Sequence, residues 1–178
     1  MTPEYFYDIE QGQPEWFQIR SGIPTASMFK AVRAKGKGAD PSKTRRKYML
    51  QLIGERLTGQ PAETYSNAHM ERGQIMESEA RQLYELVKDV SVEQVGFIRL
   101  GDCGASPDGL VGADGLLELK SKLPHIHLEV LLAGVLPPEH VDQVQGQIWV
   151  SGRQWCDFVS YWSGLPPFIL RVERDEQA

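Results

Sequence analysis

The sequence predicts an α+β fold in which helices come first and a mostly antiparallel set of strands follows, with one or two helices inserted late. Three observations predict it. Apolar residues recur at helical spacing through residues 42–58 and 67–87. Between 92 and 122 the pattern changes to alternation and β-rich composition. Two more apolar runs, 155–162 and 168–173, flank the turn sequence Ser163-Gly-Leu-Pro-Pro167. No internal repeat and no long interior linker divides the chain. Residues 1–178 therefore read as one domain, large enough to bury a core.

In order, Pro14 introduces a short helical turn over 15–20, broken at Ser21-Gly-Ile-Pro24. Thr25 is placed to cap a helix through Met28, Phe29 and Val32. Ala26 and Ser27 fall in its first turn, where free N–H groups suit an anion. Residues 33–41 read as loop. Ser42 caps a helix to about residue 58 with Tyr48, Leu50, Leu52, Ile53 and Leu57 as apolar positions, and Gly59 ends it. A longer helix starts near Asn67 and runs to about Val87. Met70, Gln74, Glu77, Arg81 and Tyr84 stack down one side of it, and Gly73 admits a close neighbour. Residues 92–100 read as one strand, and 103–110 with 116–122 as a hairpin. After Pro124 a short helix covers 127–133, broken by Gly134 and Pro137-Pro138. A last helix covers 139–150, with Val141, Val144, Ile148 and Trp149 inward and Gln143, Gln145 and Gln147 on its opposite or lateral faces.

Composition excludes several classes. No apolar run reaches the ~20 residues of a membrane span. The acidic, aromatic N-terminus lacks the basic start and apolar core of a signal peptide. Cys103 and Cys156 have no metal-binding spacing, which argues against a zinc or iron–sulfur centre. Reduced thiols in a cytoplasmic compartment are the simplest reading. The net charge of −5 is unevenly spread. Residues 30–47 hold eight basic residues against one acid, Asp40, so this segment carries +7 and the remainder −12. Such asymmetry suits a basic edge that faces a polyanion, or simply a solvated mobile loop.

The chemistry concentrates in residues 106–120. Asp-Gly in the turn Gly112-Ala-Asp-Gly115 is a strong hairpin signal. Glu118 and Lys120 lie two apart on the second strand and leave the same face, and Asp108 stands near the end of the partner strand. Two carboxylates and an ammonium among apolar residues are either a solvated Glu–Lys pair or a site for a hard divalent cation. A cation held by few protein ligands keeps positions for water and phosphate oxygens. A lysine beside it can orient or deprotonate the attacking water. The Leu119 carbonyl, between the two functional side chains, is a candidate third oxygen ligand.

Ser106-Pro-Asp-Gly-Leu110 with Leu117-Glu-Leu-Lys120 resembles the signature of the lambda-exonuclease-type, or YqaJ-like, viral recombinase nucleases of the PD-(D/E)xK superfamily. The likeness extends along the chain. Trp16 through Ser27, with Arg20 and the run Ile23-Pro-Thr-Ala-Ser27, resembles the family's N-terminal motif. Arg72-Gly73 with Glu77 resembles its Gly-x-x-x-Glu helix. Val141-Asp-Gln-Val-Gln-Gly-Gln-Ile-Trp149 resembles its glutamine-rich helix, and Val172-Glu-Arg-Asp-Glu176 its closing strand.

The resemblance implies a restriction-endonuclease-like core, a central mixed sheet flanked by helices. It implies that Asp108, Glu118 and the Leu119 carbonyl bind Mg²⁺, with Mn²⁺ as a substitute, and that Lys120 positions or activates water. Glu77 would assist through metal-bound water, and Gln143 would orient the nucleophile or the lysine. Arg20, Ser27 and Ser106 would bind the terminal 5′-phosphate or nearby backbone. The implied activity is 5′→3′ digestion of one strand of linear duplex DNA in a bacterial host, by a trimer working with a phage single-strand annealing protein. Two alternatives stay open: an endonuclease or structure-specific nuclease of the same superfamily, and a non-catalytic scaffold that binds DNA ends. His125 and His127 read as surface residues, His69 and His140 as structural or solvated. Trp149, Trp155 and Trp162 read as packing residues, while Trp16 or Phe17 is a candidate wedge at a DNA end.

Overall fold

The computed structural model of the protein describes residues 1–36, 40–62 and 68–177, the side chains of 68–75 excepted. The readings made for Lys37, Gly38, Ala39, Asn67, His69, Met70, Arg72, Gly73 and Gln74 lie outside these described residues or side chains.

A five-stranded sheet organises the molecule. Its strands are β2 (Val92–Glu93), β5 (Gly109–Val111), β6 (Gly115–Ser121), β7 (Trp155–Tyr161) and β8 (Phe168–Glu173), in that spatial order. The β6–β7 pair is parallel and the other pairs are antiparallel. The strands are mostly antiparallel, as expected, but the sheet is mixed and departs from a simple meander at this pair. A parallel neighbour needs a long crossover, which α5 (Pro124–Ala133) and α6 (Val141–Ser151) provide.

Alternation along β6 and β7 sends side chains to two cores. Leu116, Cys156 and Phe158 pack on one face with Val144, Ile148 and Val150 of α6. Leu117, Leu119, Val159 and Tyr161 pack on the other with Met76, Ala80 and Tyr84 of α4 (Ala68–Lys88). The mixed sheet is therefore covered by helices on both faces.

Two expected strands are each divided between two sheets. Residues 92–100 split into β2 and β3 (Phe97–Leu100), and 103–110 into β4 (Cys103–Ala105) and β5. With β1 (Glu4–Phe6), which the sequence pattern does not reveal, β3 and β4 form a second sheet of order β1-β3-β4. The breaks fall at Gly96, where a Cβ would sit 1.8 Å from the Ile9 carbonyl oxygen, and around Pro107, which has no N–H to give a ladder.

The N-terminal helices differ in detail from expectation. α1 spans Pro14–Arg20. Thr25 precedes a 3-10 turn, Ala26–Met28, and α2 is only Phe29–Arg33. The Thr25 hydroxyl makes no cap bond but meets the Ser27 hydroxyl at 3.3 Å. α3 (Lys43–Thr58) is capped as expected, with the Arg45 N–H donating to Ser42 Oγ. Its apolar face is not inward, however. Leu50, Ile53 and Leu57 are exposed while Tyr48 and Glu55 are buried. Glu55 tolerates burial because its carboxylate accepts from the Gly22 and Ala62 N–H groups and the Gln51 amide.

Candidate active site

Glu118 sits on the α6 side of β6 and is almost completely buried. Three donors hold it. Lys120 Nζ lies 2.5 Å from Oε1, Gln143 Nε2 donates to Oε1 at 2.6 Å, and Gln147 Nε2 donates to Oε2 at 2.6 Å. The Glu118–Lys120 pair thus exists, but not on a solvated face. Gln143 and Gln147 are one turn apart and share the α6 face that meets the sheet. α6 sits close to α2 because position 146 is glycine: a Cβ there would be 2.4 Å from Phe29 Cδ2.

Asp108 immediately precedes β5; its N–H donates to the Leu117 carbonyl at 3.0 Å and its Oδ2 accepts from the Leu119 N–H at 2.6 Å. Burial pushes its carboxyl well above the usual range, and the charges of Glu118 and Glu77 push it further. Lys120 and the Leu119 N–H oppose this without cancelling it. Burial works to lower the Lys120 ammonium, but Glu118, Asp108 and Glu77 outweigh it and raise it, so Lys120 is charged at neutral pH.

A cavity of about 200 Å³ is lined by Asp108, Glu118, Lys120, Gln143 and Gln147, and also by Arg20, Thr25, Ser27 and Ser106. Arg20 lies 3.7 Å over the Trp16 ring, and its NH1 donates to Ser106 Oγ at 3.2 Å. Burial lowers the guanidinium to about 10, which leaves it charged. Trp16 donates its indole N–H to Ser106 Oγ and to the Gly96 carbonyl, and Phe17 packs edge-on to it at 4.9 Å. Trp16 is part of the wall of this site and is not presented as a free wedge.

Glu77 stands on a larger adjoining cleft of about 970 Å³, which also touches Asp108 and Arg20. Its carboxylate is engaged by Arg81 at 2.6 Å. Burial raises its pKa, Arg81 lowers it and Glu118 raises it, with a net upward shift. The structure therefore brings seven of the expected residues (Asp108, Glu118, Lys120, Gln143, Arg20, Ser27 and Ser106) to one cavity, with the Leu119 N–H on Asp108 and Glu77 beside it.

Gln147 is the residue that the sequence reading left out. The i, i+4 spacing with Gln143 was the available signal. The histidine readings also shift. His127 is fully buried, with Nδ1 at 2.8 Å from Ser160 Oγ and Nε2 at 2.9 Å from the Pro166 carbonyl. Trp149 and Val141 turn outward.

Among the described residues, no cluster of three His, Cys, Asp or Glu side chains forms a ready metal site. The donor set nevertheless fits a hard cation in another way. Two buried carboxylates, Asp108 and Glu118, supply oxygen to one cavity, and burial together with the charges of Glu118 and Glu77 disfavours ionised Asp108, a cost that a divalent cation would offset.

The family model of the YqaJ-like viral recombinase domain matches residues 15–154, most of the chain. The chain belongs to this family. It is 41% identical to an alkaline exonuclease, LHK-Exo, from Laribacter hongkongensis, over 93% of this chain and 84% of that one, with a TM-score of 0.83. The same relative has been solved in complex with dAMP, with the same match. A phage related exonuclease from Haemophilus somnus 129PT is similar in fold, with a TM-score of 0.64 at 14% identity over 87% of this chain and 86% of that one. No curated protein matches. The family and the 41% identical relative make this chain a nuclease, and its mixed α+β fold is that of the alkaline exonuclease. Among the described residues no helix is long and apolar enough to cross a membrane.

Proposed function

We propose that the whole chain, residues 1–178, is one Mg²⁺-dependent exonuclease domain of the PD-(D/E)xK type that digests one strand of linear duplex DNA from its 5′ end. The observation that carries this reading is the shared 200 Å³ cavity. It puts a charged arginine and two hydroxyls beside two carboxylates and a lysine, so a terminal phosphate and a cation would meet in one place. The mononucleotide bound to the 41% identical relative is the class of product that end-wise hydrolysis releases.

Asp108, Glu118 and the Leu119 carbonyl would hold Mg²⁺, with Mn²⁺ as a substitute. When bound, the ion supplies charge to polarise a phosphoryl oxygen and lowers the pKa of water. Arg20, Ser27 and Ser106 would receive the 5′-phosphate through charge-assisted hydrogen bonds. Lys120, held as an ammonium by its carboxylate neighbours, suits orienting water and offsetting phosphate charge better than removing a proton. Gln143 shares Glu118 Oε1 with Lys120 and would steady both. Glu77 would assist through water from the larger cleft. Arg33, exposed on α2, pairs with Asp142 at 2.7 Å beside Gln143, and the exposed bases of α2 and α3 would face the duplex backbone. A trimer, a single-strand annealing partner and the cytoplasm of a bacterial host complete the reading.

The deciding experiment uses linear duplex DNA labelled at one 5′ end, with a 5′-phosphate or a 5′-hydroxyl, in Mg²⁺ or EDTA. Mononucleotides should appear in Mg²⁺ only, the 5′ label should leave first, and the 5′-phosphate should be preferred. Release in EDTA, or shortening of the labelled strand with its 5′ label retained, would sink the reading. Nicking of a closed circular plasmid would favour the endonuclease alternative.

A further inference from the structure

Gln147 has two features that packing does not require. Its side chain is 1% exposed, yet the amide is spent on a single carboxylate oxygen. Its own oxygen, Oε1, is buried and has no hydrogen-bond partner among the described residues. Turning the amide over would not help, because that would set an oxygen 2.6 Å from Glu118 Oε2 and leave two acceptors face to face. The orientation is therefore imposed by Glu118, and the unpaired acceptor follows from it. A buried acceptor without a donor is costly, so it marks a place where a donor is expected.

The donors around Glu118 are unevenly shared. Among the described residues Oε1 takes two, from Lys120 and Gln143, and each carboxylate oxygen has two lone pairs. Oε2 takes one, from Gln147. The oxygen that retains a lone pair is the one Gln147 aims, and Gln147 lines the same cavity as Asp108.

We propose that Gln147 is a positioning residue for cation binding: its amide N–H fixes Glu118 so that Oε2 is the oxygen offered to a divalent ion, and its amide oxygen accepts from water in that ion's shell. This rests on the reading of Asp108 and Glu118 as ligands. Gln143 and Gln147 then divide the work. Gln143 steadies the oxygen shared with Lys120, and Gln147 steadies the oxygen kept for the ion.

The test is Mg²⁺ titration by calorimetry on the full chain without DNA, with melting temperatures alongside. The native chain should bind, and Asp108→Asn should not. Gln147→Met, which keeps the side-chain length but has neither amide donor nor acceptor, should weaken Mg²⁺ binding by about 10–100-fold, the usual cost of losing a residue that orients a ligand. Gln147→Asn, which keeps the amide but falls one methylene short, should show the same loss. Gln145→Met should bind as the native chain does, because the Gln145 amide is used on the Glu173 carbonyl away from the site. Folded Gln147 variants that bind Mg²⁺ within twofold of native would overturn the proposal and leave the ligand reading intact. If both variants unfold, Gln147 is a packing residue and the proposal falls. A native chain that does not bind Mg²⁺ fails the ligand reading itself and takes this proposal with it.

Discussion

Two buried carboxylates stand one register step apart in the middle of the sheet, Glu118 on β6 and Asp157 on β7, and they face opposite sides. Asp157 is closed. Arg171 grips both oxygens at 2.9 Å, Tyr84 donates to one at 2.8 Å, and the guanidinium lies 3.5 Å over the Trp155 ring. Its charge is neutralised by a planar fork whose position is set by packing. Glu118 is open by comparison. Its cation is a lysine already shared with Asp108 and Glu77, its other donors are neutral amides, and it borders a cavity. The difference is instructive, because burial and charge alone do not mark a site. What marks it is a carboxylate group whose compensation is incomplete next to space that a ligand can enter.

The strongest way to break this comparison is to remove the open pair. Lys120→Ala should lower nuclease activity by about 10²–10⁴-fold, the range for a positioned proton-handling or water-orienting group, and Asp108→Asn should reduce it to background. Asp108→Asn should also raise the melting temperature of the cation-free protein at pH 8. The sign follows from the raised pKa of Asp108: charging this group opposes folding above its ordinary range, and an amide does not charge. A cation-free Asp108→Asn protein that melts below native would show Asp108 to be structural, as Asp157 is.

Much of the open site was legible because it is built from local chemistry. Asp-Gly turns and a period of two place Asp108, Glu118 and Lys120 together without knowledge of the rest of the fold. What was not legible depends on distant chain. The parallel β6–β7 pairing is set by α5 and α6, and no residue within β6 announces it. The division of residues 92–100 between two sheets comes from the Ile9 carbonyl crowding Gly96, a contact across more than eighty residues. The burial of Glu55 on α3 was not legible either, because N–H groups of Gly22 and Ala62 draw it inward while the apolar Leu50, Ile53 and Leu57 stay exposed. Gln147 was passed over for the same reason. A helical wheel tells which residues share a face but not that the face meets a carboxylate.

The closed carboxylate gives the next prediction. Tyr84→Phe removes one donor to Asp157 and leaves both Arg171 bonds, so it should cost about 1–3 kcal/mol of stability in denaturant unfolding and leave nuclease activity unchanged. Loss of activity without loss of stability would mean that the two faces of the sheet are coupled, and that Asp157 is not the inert counterpart of Glu118.

The smallest effect tests the edge of the open site. His140 sits at the start of α6 against the Phe158 ring, where Lys122, Lys120 and Lys30 disfavour its charged form and Glu139 favours it. Burial, followed by the lysines, lowers its pKa to about 4, and Glu139 at 3.9 Å does not compensate. The unfolded chain therefore binds a proton here before the folded chain does as pH falls from 6.5 to 4. Its contribution to stability is full above pH 6.5 and declines through that window. Asp108 acts in the opposite sense, since protonating it relieves the folded state. With solvent screening the His140 effect should be about 1 kcal/mol or less, or roughly 2–4 °C in melting temperature for a chain of this size. His140→Phe should flatten that part of the pH–stability curve relative to native. An unchanged difference between pH 7 and pH 5 in the variant would place the acid sensitivity elsewhere, and not in Asp108 or Glu77, whose protonation works in the opposite direction.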